Sequence, residues 1–347
     1  MMLTAESRVA ILLHEGTQGS HGKTGLSLLR YSEIPIVAVI DQAAAGRSLP
    51  EVTGINRDVP IVASVREALA FSPTVLTIGI APSGGALPDA WWQEVKDGVA
   101  AGLSVVNGLH TPMATAPDLR ALLRDGQQIW DVRQEPAGLT VGSGKARSLS
   151  CKRVLTVGTD MSVGKMSASL ELDRACRARG LRSRFIATGQ TGLMLGHDGI
   201  PLDAVRLDFA AGAVEQAVLR NAPNQDILHI EGQGSLMNPA STATLPLMRG
   251  SQPTHLVLVH RAGQTEIRSF PDFQIPPLPE VIQVYETVVR AGGTFAPTKV
   301  VAIALNTFHL DEIAARRAIA QTQDETGLPC TDVIRFGAAE ILEAVLR

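Results

Sequence analysis

The sequence predicts an α/β protein in which an N-terminal Rossmann-like parallel-sheet domain precedes a C-terminal P-loop NTPase-fold domain, and three observations carry that expectation. Short apolar runs alternate with amphipathic segments along all 347 residues, the rhythm of parallel sheets with helices on both faces. Most of the apolar runs are unbroken, as strands covered on both faces are. Residues 153–170 read RVLTVGTDMSVGKMSASL, an apolar strand entering a Gly-flanked loop that ends on a lysine and a helix.

In the first half, strands are expected at 9–13, 36–40, 75–80, 104–106 and 128–131, with helix-like stretches at 65–70, 90–101 and 117–124. The second half repeats the rhythm. Strands are expected there at 153–157, 183–187, 227–230, 255–259 and 300–305, and helices at 167–179, 211–220, 279–291 and 311–326. Between 136 and 152 the chain turns rich in Gly and Ser (PAGLTVGSGKARSLSCK), which marks a domain boundary. The expected domains are 1–147 and 148–347. A second irregular stretch, FPDFQIPPLP at 270–279, reads as a rigid loop.

Composition narrows the function classes. Hydrophobic residues make up 45% and charged residues 19% of the chain, a globular balance. A formal net charge of −3 predicts neither a nucleic-acid nor a membrane surface. The three cysteines, Cys151, Cys176 and Cys330, form no CxxC pair; reduced thiols are expected, not a disulfide frame or a zinc site. No run of roughly eighteen apolar residues occurs, and 9–13 is too short for a signal segment. A soluble cytoplasmic protein acting on a small molecule is expected, and the oligomeric state, with Trp91 and Trp92 in core or in a homo-oligomer interface, stays open.

The loop from Gly158 through Thr159, Asp160, Ser162, Val163, Gly164, Lys165 and Met166 to Ser167 is the expected phosphate cradle. Such a strand–loop–helix presents backbone N–H groups and a helix start to one anion, with the lysine as point charge. It departs from G-x-x-x-x-G-K-[ST] twice. Five residues, not four, separate Gly158 from Gly164, and Met166 stands where a hydroxyl would hold Mg²⁺. A second loop, Gly16-TQGSH-Gly22-Lys23-Thr24, has the same spacing and does have the hydroxyl. It is read as a Rossmann-like turn, with Asp41, at the end of the next strand, in the position of a ribose-binding acid.

Ligands of open parallel sheets bind beyond the carboxyl ends of the strands, so residues there are the site candidates. Thr188, Gln190 and Thr191 follow the strand at 183–187, suited to holding a substrate. Glu231, after 227–230, is the leading general base or, with Mg²⁺, a metal ligand. Asp208 is a second metal ligand or a helix N-cap. His260 and Arg261 are anion or substrate contacts, and Asn306 reads a purine edge or closes an Asx turn. In the first domain Ser83, Gly84, Gly85 and His110 join Asp41 as ligand candidates.

These motifs resemble a known family. GTDMSVGKM, EGQGS…NP and ALNT are similar to dethiobiotin synthetase and its P-loop relatives. With GIAPSGGALP, VVNGLH, DVR, ATGQTG and DFAAGAVE added, nearly the whole chain resembles the D-glutamate N-acetyltransferase-like family, a Rossmann-like domain followed by a P-loop domain. The resemblance implies acetyl transfer from acetyl-CoA to D-glutamate or a similar amino acid. Lys165 and the loop would hold the CoA phosphates, Glu231 would be the base with Asp208 or His260 as alternates, and Gln190 with its neighbours would bind the carboxylates. The N–H groups of 188–191 would face the oxyanion. Two other readings stand beside it: an Mg-ATP-dependent kinase or carboxylate-activating ligase, and a nucleotide- or CoA-binding regulator without turnover. Thr188 and Gly189 replace the substrate-handling lysine of dethiobiotin synthetase, and Met166 fits Mg-ATP poorly, so the residues lean toward CoA.

Overall fold

A computed structural model of the chain describes residues 3–19, 21–82, 86–290 and 294–347. It divides into two compact units: Met1–Gln134 with Gln190–Gly196, and Glu135–Gly189 with His197–Arg347. The sequence places the boundary at 147/148. In the structure residues 135–147 pack with the second unit, where Ser143 donates from N and Oγ to Glu215 (both 2.8 Å) and Ala146 is fully buried.

The first unit holds β1 (Val9–Leu12), β2 (Ile36–Ile40), β3 (Ile61–Val62), β4 (Val75–Ile78), β5 (Ser104–Asn107) and β6 (Ile129–Asp131). The helices are α1 (Lys23–Tyr31), α2 (Leu49–Thr53), α3 (Val65–Ala68), α4 (Asp89–Ala100) and α5 (Pro117–Arg120). The strands pair in parallel in the order β3-β2-β1-β4-β5-β6, the Rossmann order with its switch point between β1 and β4. β1 and β4 are buried along their whole length, which accounts for the unbroken apolar sequence of β1 and for the single polar residue, Thr77, in β4.

The second unit holds β7 (Lys152–Gly158), β8 (Ser183–Ile186), β9 (Ile227–Ile230), β10 (His255–Arg261), β11 (Glu266–Ile267), β12 (Phe270–Gln274), β13 (Val300–Asn306) and β14 (Cys330–Thr331). Its part of the sequence carries α6 (Lys165–Ala178), α7 (Gln190–Met194), α8 (Leu207–Asn221), α9 (Thr244–Ser251), α10 (Leu278–Arg290), α11 (Glu312–Thr326) and α12 (Ala339–Leu346). Of these, α7 falls in the first unit: Met194 is buried in that core, with Leu193 and Leu195 against it. The second sheet runs β14-β13-β10-β7-β9-β8, all parallel. Strand β8 lies two places from β7 on one side and β10 adjoins it on the other, so the chain reverses about β7. The end of β7 is therefore the switch point, where a ligand belongs.

Three expectations are corrected. The stretch at 270–279 is not all loop, because Phe270–Gln274 pairs antiparallel with Glu266–Ile267 as a hairpin; its Pro271 is tolerated in a two-stranded ribbon that has only edges. Helices α2, α7, α9 and α12 and the two-residue strands β3 and β14 were not anticipated. α9 begins in a small, polar run and carries Pro246 in its first turn, where a proline costs no helical bond. Asp208 is not an N-cap: Arg206 holds that place and Asp208 sits in the first turn of α8, where its charge suits the helix dipole. Asp311 does cap α11, accepting from the N of Ala314 at 2.8 Å. Ala291, the end of the helix expected at 279–291, lies outside the described residues. Among the described residues no helix is long and apolar enough to cross a membrane.

Candidate functional site

The loop after β7 starts at the switch point and runs into α6, whose N-cap is Gly164 at φ 119°. That left-handed geometry suits only glycine. Four of the loop's carbonyls are held by side chains. Tyr285 Oη donates to the Gly158 carbonyl at 2.7 Å, Lys165 Nζ to Asp160 at 2.7 Å, Arg261 Nη2 to Ser162 at 3.3 Å and Asn306 Nδ2 to Val163 at 2.9 Å. In a trans peptide the N–H points opposite to its carbonyl. The amides of Val163 and Gly164 are thus turned away from Arg261 and Asn306, as an anion cradle needs.

Asp160 is the hub of this arrangement. Fully buried, its carboxylate accepts from Met161 N (2.6 Å) and Asn238 Nδ2 (2.8 Å) through Oδ1, and from Gln264 Nε2 and Arg268 N (both 2.8 Å) through Oδ2. One carboxylate so ties the phosphate loop to the β9–α9 connection and to the β11–β12 hairpin. His260 meets Thr159, Nδ1 to Oγ1 at 2.9 Å, and burial pushes it down to about 4, so the ring is neutral near pH 7. Met166 and Ser167 are half-buried in the first turn of α6.

Glu231 follows β9, almost wholly buried. Its Oε2 accepts from the backbone N of Thr188 (2.9 Å) and Gly189 (3.1 Å), while Thr188 Oγ1 donates to the Glu231 carbonyl at 2.9 Å. The amides of Thr188 and Gly189 are therefore spent on Glu231, which corrects the expectation that they face an oxyanion. A Cβ at Gly232 would lie 1.8 Å from the Thr156 carbonyl and 3.0 Å from Lys165 Cδ, so the lysine's stem runs beside the residue that follows Glu231. Asp208 is exposed, and no hydrogen bond among the described residues joins it to this loop. Nor does any group of three or more His, Cys, Asp and Glu among the described residues lie together as a metal site would.

Asn306 spends both ends of its amide. Nδ2 holds the loop, and Oδ1 accepts from Phe308 N at 3.2 Å. The Asx-turn reading thus describes it as it stands. Sequence reasoning missed Tyr285, Gln264 and Arg268, which reach the loop from 104 to 127 residues away. No local pattern announces such partners.

In the first unit Gln190 and Thr191 lie on α7. A Cβ at Gly108 would meet Gln190 Cγ at 3.1 Å, and Thr191 Oγ1 lies 3.4 Å from Thr24 Oγ1. Gly22 packs directly on Gly16, because a Cβ at Gly22 would fall 1.8 Å from the Gly16 carbonyl. Asp41 is buried, and its oxygens accept from Glu15 N, Thr17 N, Thr17 Oγ1 and Ala43 N (2.5–3.3 Å). Its carboxylate is spent on holding the β1 turn. His110 is exposed, and partial burial with nearby Arg133 lowers its pKa. Ser83, Gly84 and Gly85 lie outside the described residues. His14, after β1, was not singled out by the sequence reading. Its Nδ1 accepts from Gln42 N (3.2 Å) and its ring stacks on Trp91 with centroids 5.5 Å apart.

Comparison with known proteins agrees with this architecture. Residues 140–342 match the family model described as a domain of unknown function, DUF1611_C, P-loop domain, and residues 42–135 match DUF1611_N, Rossmann-like domain. A D-glutamate N-acetyltransferase of Tritonibacter scottomollicae is 37% identical over 81% of this chain and 84% of its own length. One from a Pseudoalteromonas species is 32% identical over 84% and 85%. The crystal structure of a DUF1611 family protein from Anabaena variabilis superposes with a TM-score of 0.96 at 67% identity, covering 98% of this chain and 99% of that one. The chain thus belongs to the DUF1611 family, the D-glutamate N-acetyltransferase-like acyltransferases built from a Rossmann-like and a P-loop domain.

Proposed function

We propose that this protein moves the acetyl group of acetyl-CoA to the amino group of D-glutamate or a similar small amino acid, with the CoA phosphates on the loop after β7. The observation that carries the reading is the pair of relatives of that name, each aligned over more than four fifths of this chain. The loop supports it chemically. Lys165 is buried with its ammonium donating to the Asp160 carbonyl, and a phosphate on the loop would be a further, charged acceptor for it.

In the transfer the amine nitrogen forms a bond to the thioester carbon, the C–S bond breaks and the CoA thiolate leaves. A proton must come off the nitrogen. Glu231 is the base in this proposal, because it is buried, the residue after it lies against the stem of Lys165, and its carboxylate is oriented by two backbone N–H groups. His260 is a weaker choice, since its Nδ1 is already engaged by Thr159 Oγ1.

The test is release of free thiol from acetyl-CoA with D-glutamate, L-glutamate and other small amino acids, beside an assay of ATP hydrolysis. Thiol release that depends on the D-amino acid is expected. Mg-dependent ADP release driven by a small acid, without thiol release, would replace acetyl transfer by a kinase or ligase. That second reading draws on the same P-loop architecture. Acetyl-CoA binding without turnover on any acceptor would make the protein a regulator.

A further inference from the structure

Beyond the phosphate loop, β10 and β13 carry their own polar ends. Arg261 closes β10 and is the register partner of Asn306, which closes β13; β10 in turn adjoins β7, with Val259 opposite Gly158. Adjacent strands lie about 4.8 Å apart, so the step from the loop to the end of β13 spans roughly 10 Å, about the reach of a nucleoside.

Three features meet along that step. The Arg261 guanidinium has five N–H donors, of which Nη2 reaches the Ser162 carbonyl at a long 3.3 Å, while Nε is buried with no hydrogen-bond partner. Its Cζ lies 5.4 Å from the ring centre of Phe308, which is 68% exposed. Arg268 stands in the turn of the β11–β12 hairpin, its backbone N fixed to Asp160 and its side chain exposed. Among the described residues neither arginine forms an ion pair with a carboxylate. Burial first, and then repulsion from Arg268, lower the pKa of Arg261, against the attraction of the single Asp160 carboxylate. Two like charges held together with a buried unmatched donor describe a site waiting for a dianion.

We propose that Arg261 and Arg268 form a second anion seat beside the phosphate loop for a phosphomonoester on the ribose, the 3′-phosphate of CoA, with the open face of Phe308 stacking the adenine. The seat rests on the acetyl-CoA reading above and adds what that reading lacks, a means of telling CoA from ATP, which has no 3′-phosphate.

Calorimetric titration with CoA and with 3′-dephospho-CoA tests it. The native protein is expected to bind CoA about ten- to a hundredfold more tightly, the worth of one or two charge-assisted contacts. The variant with Arg261→Ala and Arg268→Ala is expected to bind the two alike, at the dephospho-CoA level. Phe308→Ala is expected to weaken both by about tenfold, leaving their ratio unchanged. Equal affinities in the native protein overturn the seat and leave CoA use intact. Binding of neither compound overturns the seat and the CoA reading together. Arg268 is exposed, so Arg268→Ala alone, with a narrowed ratio expected, keeps the test open if the double variant does not fold.

Discussion

Each of the two sheets follows its first strand with a G-x5-G turn and a lysine, and the two turns are used in opposite ways. After β1 the glycines press together, Gly22 against the Gly16 carbonyl, and Gly25 N donates to the Gly79 carbonyl at 2.7 Å. Lys23 is exposed, and the acid nearby, Asp41, serves the turn. After β7 the loop is held open from outside by Tyr285, Arg261 and Asn306, with Lys165 buried over it. Equal spacing therefore gives tightly packed glycines in one unit and, in the other, a loop braced from outside with a lysine buried over it.

That contrast breaks if the first loop tolerates bulk. Gly22→Ala sets a methyl against backbone that cannot yield, so a loss of about 4 kcal/mol or more is expected, read as a fall in melting temperature by calorimetry. A native melting temperature would show the first turn to be as open as the second.

Acid should separate the loops next. Burial lowers His260 to about 4 against an unfolded value near 6.5. Its stabilising contribution is complete above pH 6.5 and is lost as pH falls toward 4. The expected size is on the order of 3 kcal/mol. Urea unfolding of His260→Gln should show a flatter pH dependence in that window; an unchanged slope removes His260 as the source.

The lysines sharpen the comparison further. Lys165→Ala should raise the KM for acetyl-CoA by about tenfold or more, with a smaller change for the amino acid, as expected for loss of a charged contact. Lys23→Ala should leave both within about twofold. A rise of equal size in Lys23→Ala would mean that both turns hold anions.

The sequence made the two sheets legible because buried parallel strands are unbroken apolar runs, and β1, β7 and β10 could be read within a residue or two. The P-loop domain was legible too, since strand, loop, lysine and helix are contiguous. The partners of the loop were harder. Asp160 reads as a loop acid, yet its ligands lie 78 to 108 residues away. Asp41 looked like a ribose contact because its position after β2 is right, but Thr17 and Glu15 had already claimed its oxygens. The hairpin at β11–β12 hid behind its prolines, and α7 was too short for a helical period to show.

One consequence concerns the order in which the chain can be made. The core of the first unit includes Met194, with Leu193 and Leu195 against it, all encoded about 60 residues beyond the end of the main N-terminal segment at Gln134. Domains usually fold as they leave the ribosome, the N-terminal one first. Here the leading domain must wait with an unfilled wall until residue 196 has emerged, by which time β7, the phosphate loop and β8 have been synthesised. A fragment cut at residue 134 would lack part of its own interior, so the two domains share a single schedule of assembly although each has its own sheet.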